Sequence, residues 1–216
     1  MKIAGIYLAA GQNRRMRESK ILLQLSQEAS LRSVILSELD RCNLEPLIVV
    51  VRADDTLTWL PPTVGKMGAR RTETCLTAHL GLSFSLRCGL NAVLPMQPDA
   101  VIVALADQPF ITTTLVNRLI ETFEQSPELD FVASPNQGSG MPPTLFSSAL
   151  FPVLQGLDGD NGAVGILHSP DYKGITLETN SNHSFMDADM QREFDETCEE
   201  WNLRNWKEGR LARFPD

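Results

Sequence analysis

The chain has 216 residues, 43% hydrophobic and 21% charged, with 14 glycines and 13 prolines. This is ordinary globular usage, which excludes a disordered or low-complexity chain and a small disulfide scaffold and leaves room for a sizeable core. With 19 basic against 27 acidic residues the formal charge is −8, which argues against a polyanionic partner such as duplex DNA but permits a small anion in a local basic pocket.

Ile3 to Ala9 is a short, almost wholly apolar run ending before a glycine, as expected of a central parallel strand buried on both faces. Its flank is Gly11 and then Arg14, Arg15, Arg17, Glu18 and Lys20, which does not suit a cleaved signal peptide. Similar runs recur at Leu47 to Val51, at Ala100 to Ala106 and, more weakly, at Phe131 to Ser134. Between them, Leu31, Val34, Ile35, Leu39 and Cys42 fall on one helical stripe, as do Leu115, Leu119, Ile120 and Phe123. Alternating strands and helices predict an α/β fold with a mainly parallel sheet and right-handed crossovers.

From Ser134 to Pro143 the texture is turn-rich, and Thr144 to Leu154 is apolar again, which reads as an excursion within one domain. Met190 to Asn205 is acidic and predicts a helix with Phe194, Cys198 and Trp201 on one side. The expected division is a domain over 1–195 and a helical tail over 196–216 packed on it. Cys42, Cys75, Cys88 and Cys198 form no C-x-x-C pair, so reduced thiols are expected rather than zinc, and no stretch reaches the ~18 apolar residues of a membrane span. A cytoplasmic location, without membrane contact, follows as the expectation.

In a parallel sheet the ligand crevice lies beyond the carboxyl ends of the strands, which singles out two loops. Ala9-Ala10-Gly11-Gln12-Asn13-Arg14-Arg15-Met16 combines small residues, which let a ligand approach backbone N–H groups, with arginines and Lys20, which match the charge of a triphosphate. It is neither a Walker A sequence nor G-x-G-x-x-G, and a polar turn with solvated arginines is the alternative. Asp107, after the run ending at Ala106, is placed either to hold Mg²⁺ or to cap the helix announced by Pro109 and Thr112 to Thr114. Asp187 and Asp189 alternate along the chain, so on an extended segment only one would face a shared site. Taken alone, they read as a surface turn. His79, His168 and His183 are unevenly spaced and carry no assigned role; Met141, Phe146 and Phe151 fit either a pterin pocket or core.

Together these elements resemble the molybdenum cofactor nucleotidyltransferases, and among them the cytidylyltransferase branch. The family's opening L-A-[AG]-G-x-x-x-R-M with a following lysine is matched by Leu8 to Met16 and Lys20. Its G-M-x-x-S-L-R-x-G-L stretch resembles Gly81 to Leu90, with Ser85, Leu86, Arg87 and Gly89 in register, and its D-Q-P is Asp107-Gln108-Pro109. The later G-x-x-x-H-P and G-D-x-G-A segments correspond to Gly138 to Pro142 and Gly159 to Ala163. The chain departs from the pattern at Met141, where the family has histidine, at Arg17, where glycine is common, and after Asp189, where Met190-Gln191-Arg192 replaces the usual ending.

The resemblance implies a single-domain, three-layer nucleotide-diphospho-sugar transferase (Rossmann-like) fold and transfer of CMP from CTP to molybdenum-molybdopterin. It implies that Leu8, Ala9, Ala10, Gly11, Arg14, Lys20, Ser85, Leu86 and Gly89 bind the nucleotide, and that Lys20, Arg14 and Asp107 are catalytic. It further implies Mg²⁺ on Asp107 with Asp187 or Asp189, and a molybdenum hydroxylase apoenzyme as the recipient of the product. The alternatives are a guanylyl or sugar-phosphate nucleotidyltransferase on the same fold, or a non-catalytic carrier of the molybdenum cofactor, which would need neither Lys20 nor Asp107.

Overall fold

The first apolar run forms β1, Ile3–Leu8, buried at all six positions. It is flanked on one side by β4 (Leu47–Arg52) and on the other by β6 (Ala100–Leu105), both parallel to it and both buried except at the last residue. The computed structural model describes residues 1–11, 24–26, 29–62, 70–108, 111–136, 139–159 and 163–177. The predicted tail over 196–216 and the helix over 190–205 lie outside them.

In chain order β1 is followed by a small antiparallel ribbon of β2 (Gln24–Ser26) and β3 (Ala29–Ser30), then α1 (Leu31–Asp40), β4, β5 (Arg70–Cys75), α2 (Leu82–Val93) and β6. Next come α3 (Thr113–Gln125), β7 (Phe131–Asn136), β8 (Ser139–Ser147), the short helices α4 (Phe151–Gln155) and α5 (Val164–His168), and β9 (Gly174–Thr176). The main sheet runs β5-β4-β1-β6-β8-β7-β9, and β8 is antiparallel to both its neighbours.

The pleat sends alternate side chains to two apolar layers. Tyr7, Ala9, Val49 and Ile102 pack beneath α1 and α3, through Ile35, Leu36, Leu39, Val116, Leu119 and Phe123. Ile6, Leu8, Val50 and Val103 pack beneath α2 and α4, through Leu86, Leu90, Val93 and Leu154. Helices on both faces of a mostly parallel sheet make the three-layer α/β architecture expected from the alternation of runs and stripes.

Two elements differ from expectation. The stretch from Ser134 to Pro143 is not a long loop but the β7–β8 hairpin, with a register shift between Ala133 and Ser134. Ser134 Oγ donates to the Pro143 carbonyl at 2.9 Å, a side-chain bond where two successive prolines can offer no N–H to a ladder. The sequence also gave no signal for β5, whose residues Arg70-Arg71-Thr72-Glu73-Thr74 carry no apolar side chain. It is an edge strand held by its backbone to β4, and charges suit an edge that must not pair further.

Candidate active site

Beyond β1 the chain leads through α1, on one face of the sheet, to β4 and β5. It then returns through α2, on the other face, to β6. The connections diverge between β1 and β6, and such a switch point opens a crevice at the carboxyl ends of the strands. Leu8 pairs with Leu105, the Ala106 N–H donates to the Leu8 carbonyl at 3.1 Å, and the Ala9 N–H donates to the Val50 carbonyl at 2.9 Å. Ala9-Ala10-Gly11 and Ala106-Asp107-Gln108 therefore leave the sheet side by side. The two loops singled out in the sequence are brought together by adjacent strands.

Ala9 packs into the layer beneath α1 and Ala10 into the layer beneath α2, both essentially without exposure. A Cβ built on Gly11, the first residue free of the core, would meet no atom of the described residues within 4 Å. Arg14, Lys20, Asp187 and Asp189 lie outside the described residues.

Asp107 is half-buried and does not cap the following helix. That role belongs to Thr112, whose Oγ1 accepts from the Leu115 N–H at 3.2 Å. Burial pushes the Tyr7 hydroxyl pKa far upward, the Arg32 charge opposes it, and the Asp107 carboxylate adds to it, so Asp107 stands near the Tyr7 hydroxyl and that phenol stays neutral. Gln108 is 1% exposed, and among the described residues neither its amide oxygen nor its amide nitrogen has a hydrogen-bond partner. The D-Q-P resemblance contained Gln108 but gave it no role.

A lone strand-end carboxylate suits Mg²⁺, which takes one or two carboxylates and completes its shell with phosphate oxygens and water. Among the described residues no group of three His, Cys, Asp or Glu could form an all-protein metal cage. The donor chemistry of Asp107 thus fits a metal shared with a phosphorylated substrate.

The stretch expected to bind nucleotide is α2 and its entrance. Leu86 is buried in the core, and a Cβ on Gly89 would come within 2.5 Å of Ile6 Cγ2 and 2.9 Å of Val50 Cγ2, so this glycine lets α2 lie directly on β1 and β4. Ser85 is buried. Ser83, two residues nearer the helix start, is fully buried with an Oγ that has no partner among the described residues, and its N–H donates to the Gly159 carbonyl at 3.1 Å. Leu86 and Gly89 thereby position the helix, while Ser83 lies where α2 meets the loop after α4. Phe146 and Phe151 are core residues beneath the same face.

Sequence reasoning missed a polar cluster on the α1 face. Arg32 Nη1 pairs with Asp55 Oδ2 at 2.9 Å, and Arg32 Nη2 donates to the Ala9 carbonyl at 3.1 Å. The Asp55 Oδ1 accepts from the Leu57 N–H at 2.8 Å and from Trp59 Nε1 at 3.0 Å. Arg32 follows Leu31 on a helix read for its apolar stripe, and its partners lie 23 residues away in either direction, beyond any local pattern.

The Cys42 and Cys88 thiols stay protonated at neutral pH. Burial, then the nearby Glu38 charge, pushes Cys42 up to about 12; burial, then neighbouring Cys75, pushes Cys88 up to about 12.

The MobA-like NTP transferase domain family matches residues 5–174, the span from β1 to β9. The purine catabolism protein PucB of Bacillus subtilis is 31% identical over 205 residues, covering 89% of this chain and 94% of that protein. Among solved structures, a Mycobacterium sp. strain JC1 homologue of Mycobacterium tuberculosis Rv0371c superimposes with a TM-score of 0.75 at 23% identity, covering 94% of this chain and 97% of the other. A nucleotidyl transferase from a Methanothermobacter species gives 0.73 at 17% identity, covering 94% and 99%. A CMP:2-keto-3-deoxy-manno-octonic acid synthetase with bound CTP gives 0.69 at 9% identity, covering 94% and 100%, so these structures share the fold of nucleotidyl-transferring enzymes. The chain, with its small-residue loop and strand-end aspartate side by side, belongs to the MobA-like NTP transferases.

Proposed function

We propose that this nucleotidyltransferase moves CMP from CTP to the terminal phosphate of a molybdopterin-type cofactor, giving the cytosine dinucleotide and pyrophosphate. The observation that carries the reading is the adjacency of Ala9-Ala10-Gly11 and Asp107 at the β1/β6 switch point. The reaction is an in-line displacement at the α-phosphorus: an acceptor phosphate oxygen forms the new P–O bond as the bond to the bridging oxygen breaks and pyrophosphate leaves. Positioning and charge neutralisation do most of this work.

Lys20 and Arg14 hold the triphosphate and the departing pyrophosphate. Asp107, with Asp187 or Asp189, holds Mg²⁺, which when bound supplies charge neutralisation at the α-phosphate. The acceptor phosphate is already anionic near pH 7, so no strong general base is required. The buried amide of Gln108, next to Asp107 in the chain, has an NH₂ group and a carbonyl oxygen without partners among the described residues.

The cytidylyl choice rests on Ala10 and on the Ser85-Leu86-Arg87 segment. The Ala10 methyl is buried in the layer beneath α2, so it acts on the base by fixing how far the loop backbone stands from that helix. The name of the Bacillus relative is in keeping with a purine-oxidising molybdenum hydroxylase as the destination of the product. Incubation with Mg²⁺, molybdopterin and each NTP in turn tests the reading through pyrophosphate release and dinucleotide formation. Product from CTP supports it, and no product from any NTP overturns it.

A further inference from the structure

Arg32 is a charged side chain only 10% exposed, paired with Asp55 at 9% exposed. A buried ion pair is poor evidence for stability, because two charges lose their hydration and an apolar pair of equal volume is often as stable. What an apolar pair cannot do is bind a carbonyl. Arginine's planar fork allows one Nη to remain on Asp55 while the other donates to the Ala9 carbonyl. Ala9 is the first residue beyond β1, and its carbonyl has left the ladder.

We propose that Arg32 is a positioning residue that fixes the direction in which the nucleotide loop leaves β1. This rests on the nucleotidyl-transfer reading. Among the described residues, Asp55 and Trp59 hold the guanidinium in that pose. Asp55 is itself fixed by the Leu57 N–H and by Trp59 Nε1, and the guanidinium carbon lies 5.0 Å from the Trp59 ring centre. Trp59 is anchored in turn, its carbonyl accepting from Ser33 Oγ, one residue after Arg32. The Tyr7 hydroxyl donates to the Arg32 carbonyl at 3.0 Å, so the start of α1 is tied to the same strand whose end it clamps. A displacement of about 1 Å in such a loop is enough to cost about a hundredfold in rate.

The test compares the wild type with Asp55→Asn, which keeps the guanidinium on Ala9, and with the double variant Arg32→Met/Asp55→Asn, which removes the tether without stranding a buried charge. Two quantities are read: deuterium uptake in the peptide covering Ala9 to Gly11, and kcat and KM for the NTP. In the double variant, uptake there rises by about tenfold or more while peptides from β6 and α2 stay unchanged. kcat/KM for the NTP falls about tenfold to a hundredfold in that variant, and Asp55→Asn, which loses one support of the guanidinium but leaves its bond to Ala9, falls less. Arg32→Lys, whose single ammonium cannot span both acceptors, falls between them and decides the matter if the double variant does not fold. Unchanged uptake and kinetics in an active, folded double variant or in Arg32→Lys overturns the proposal, as does an Asp55→Asn effect equal to that of the double variant. A wild type inactive with every NTP sinks the nucleotidyl-transfer reading instead, and the uptake measurement still shows separately whether Arg32 holds the loop.

Discussion

The two faces of the sheet are built by different means. Beneath α1 and α3 the apolar layer is crossed by buried charges: Arg32 with Asp55, Arg70 with Asp40, and Glu38, whose carboxylate accepts from the Thr113 N–H at 2.9 Å, from its hydroxyl at 2.9 Å and from Arg41 at 2.8 Å. Beneath α2 the contact is apolar and close, with Gly89 set against Ile6 and Val50. The charged face fixes where chain segments begin, such as the first residue past β1 and the first turn of α3. The apolar face fixes how near a helix lies to the sheet. A polar substitution on the first face should therefore disturb position before stability, and a volume change on the second should do the reverse.

The largest effect is expected where the two faces meet, at the switch point. Asp107→Asn keeps size and shape but removes the charge that suits Mg²⁺, and turnover should fall by about two orders of magnitude or more with little change in melting temperature. Near-wild-type turnover at saturating Mg²⁺ removes Asp107 from the mechanism. Lys20→Ala and Arg14→Ala each lose a charge-assisted phosphate contact of roughly 1.5–3 kcal/mol, or about one to two decades in NTP affinity or rate. Unchanged nucleotide kinetics in both variants would make the loop a solvated turn.

On the apolar face, Gly89→Ala places a methyl inside contact distance of Ile6 and Val50, and overpacking should cost about 1–3 kcal/mol, only partly offset by alanine's better helix propensity. Chemical denaturation measures it, and a stabilised variant would show that α2 can lift off the sheet without strain. On the charged face, Glu38→Ala strands the Thr113 N–H at the start of α3 and should cost about 1–3 kcal/mol.

The smallest effect is alkaline. The Cys42 and Cys88 thiols ionise only near 12 in the folded chain, so above the ordinary thiol pKa the unfolded chain releases protons that the folded one keeps. Stability is fully present below about pH 8.5 and declines as pH rises from there toward 12. Melting curves across that window should show a shallower decline in Cys42→Ala.

The same comparison explains what the sequence reveals. β1, β4 and β6 were legible because strands buried on both faces must be apolar throughout, and α1 and α3 because each buries one stripe. β5 was silent because an edge strand held by pairing to β4, by Arg70 on Asp40 and by Cys75 in the core needs no apolar run, and the β7–β8 hairpin was obscured by prolines that a register shift accommodates. In the site, the loop after β1 and Asp107 could be found, since small residues and a lone carboxylate at strand ends are local signals. Arg32 and Asp55 could not. They are 23 residues apart, and the bond that matters joins Arg32 to a backbone carbonyl 23 residues before it, which no local pattern encodes.

The most direct test of the central claim is a competition between nucleotides in one assay with Mg²⁺ and molybdopterin. The account predicts pyrophosphate and a cytosine dinucleotide, with kcat/KM for CTP exceeding that for GTP by about an order of magnitude, and a smaller ratio in Ala10→Gly. A preference for GTP would contradict the cytidylyl assignment and keep nucleotidyl transfer; no pyrophosphate from any nucleotide would contradict the account at its root.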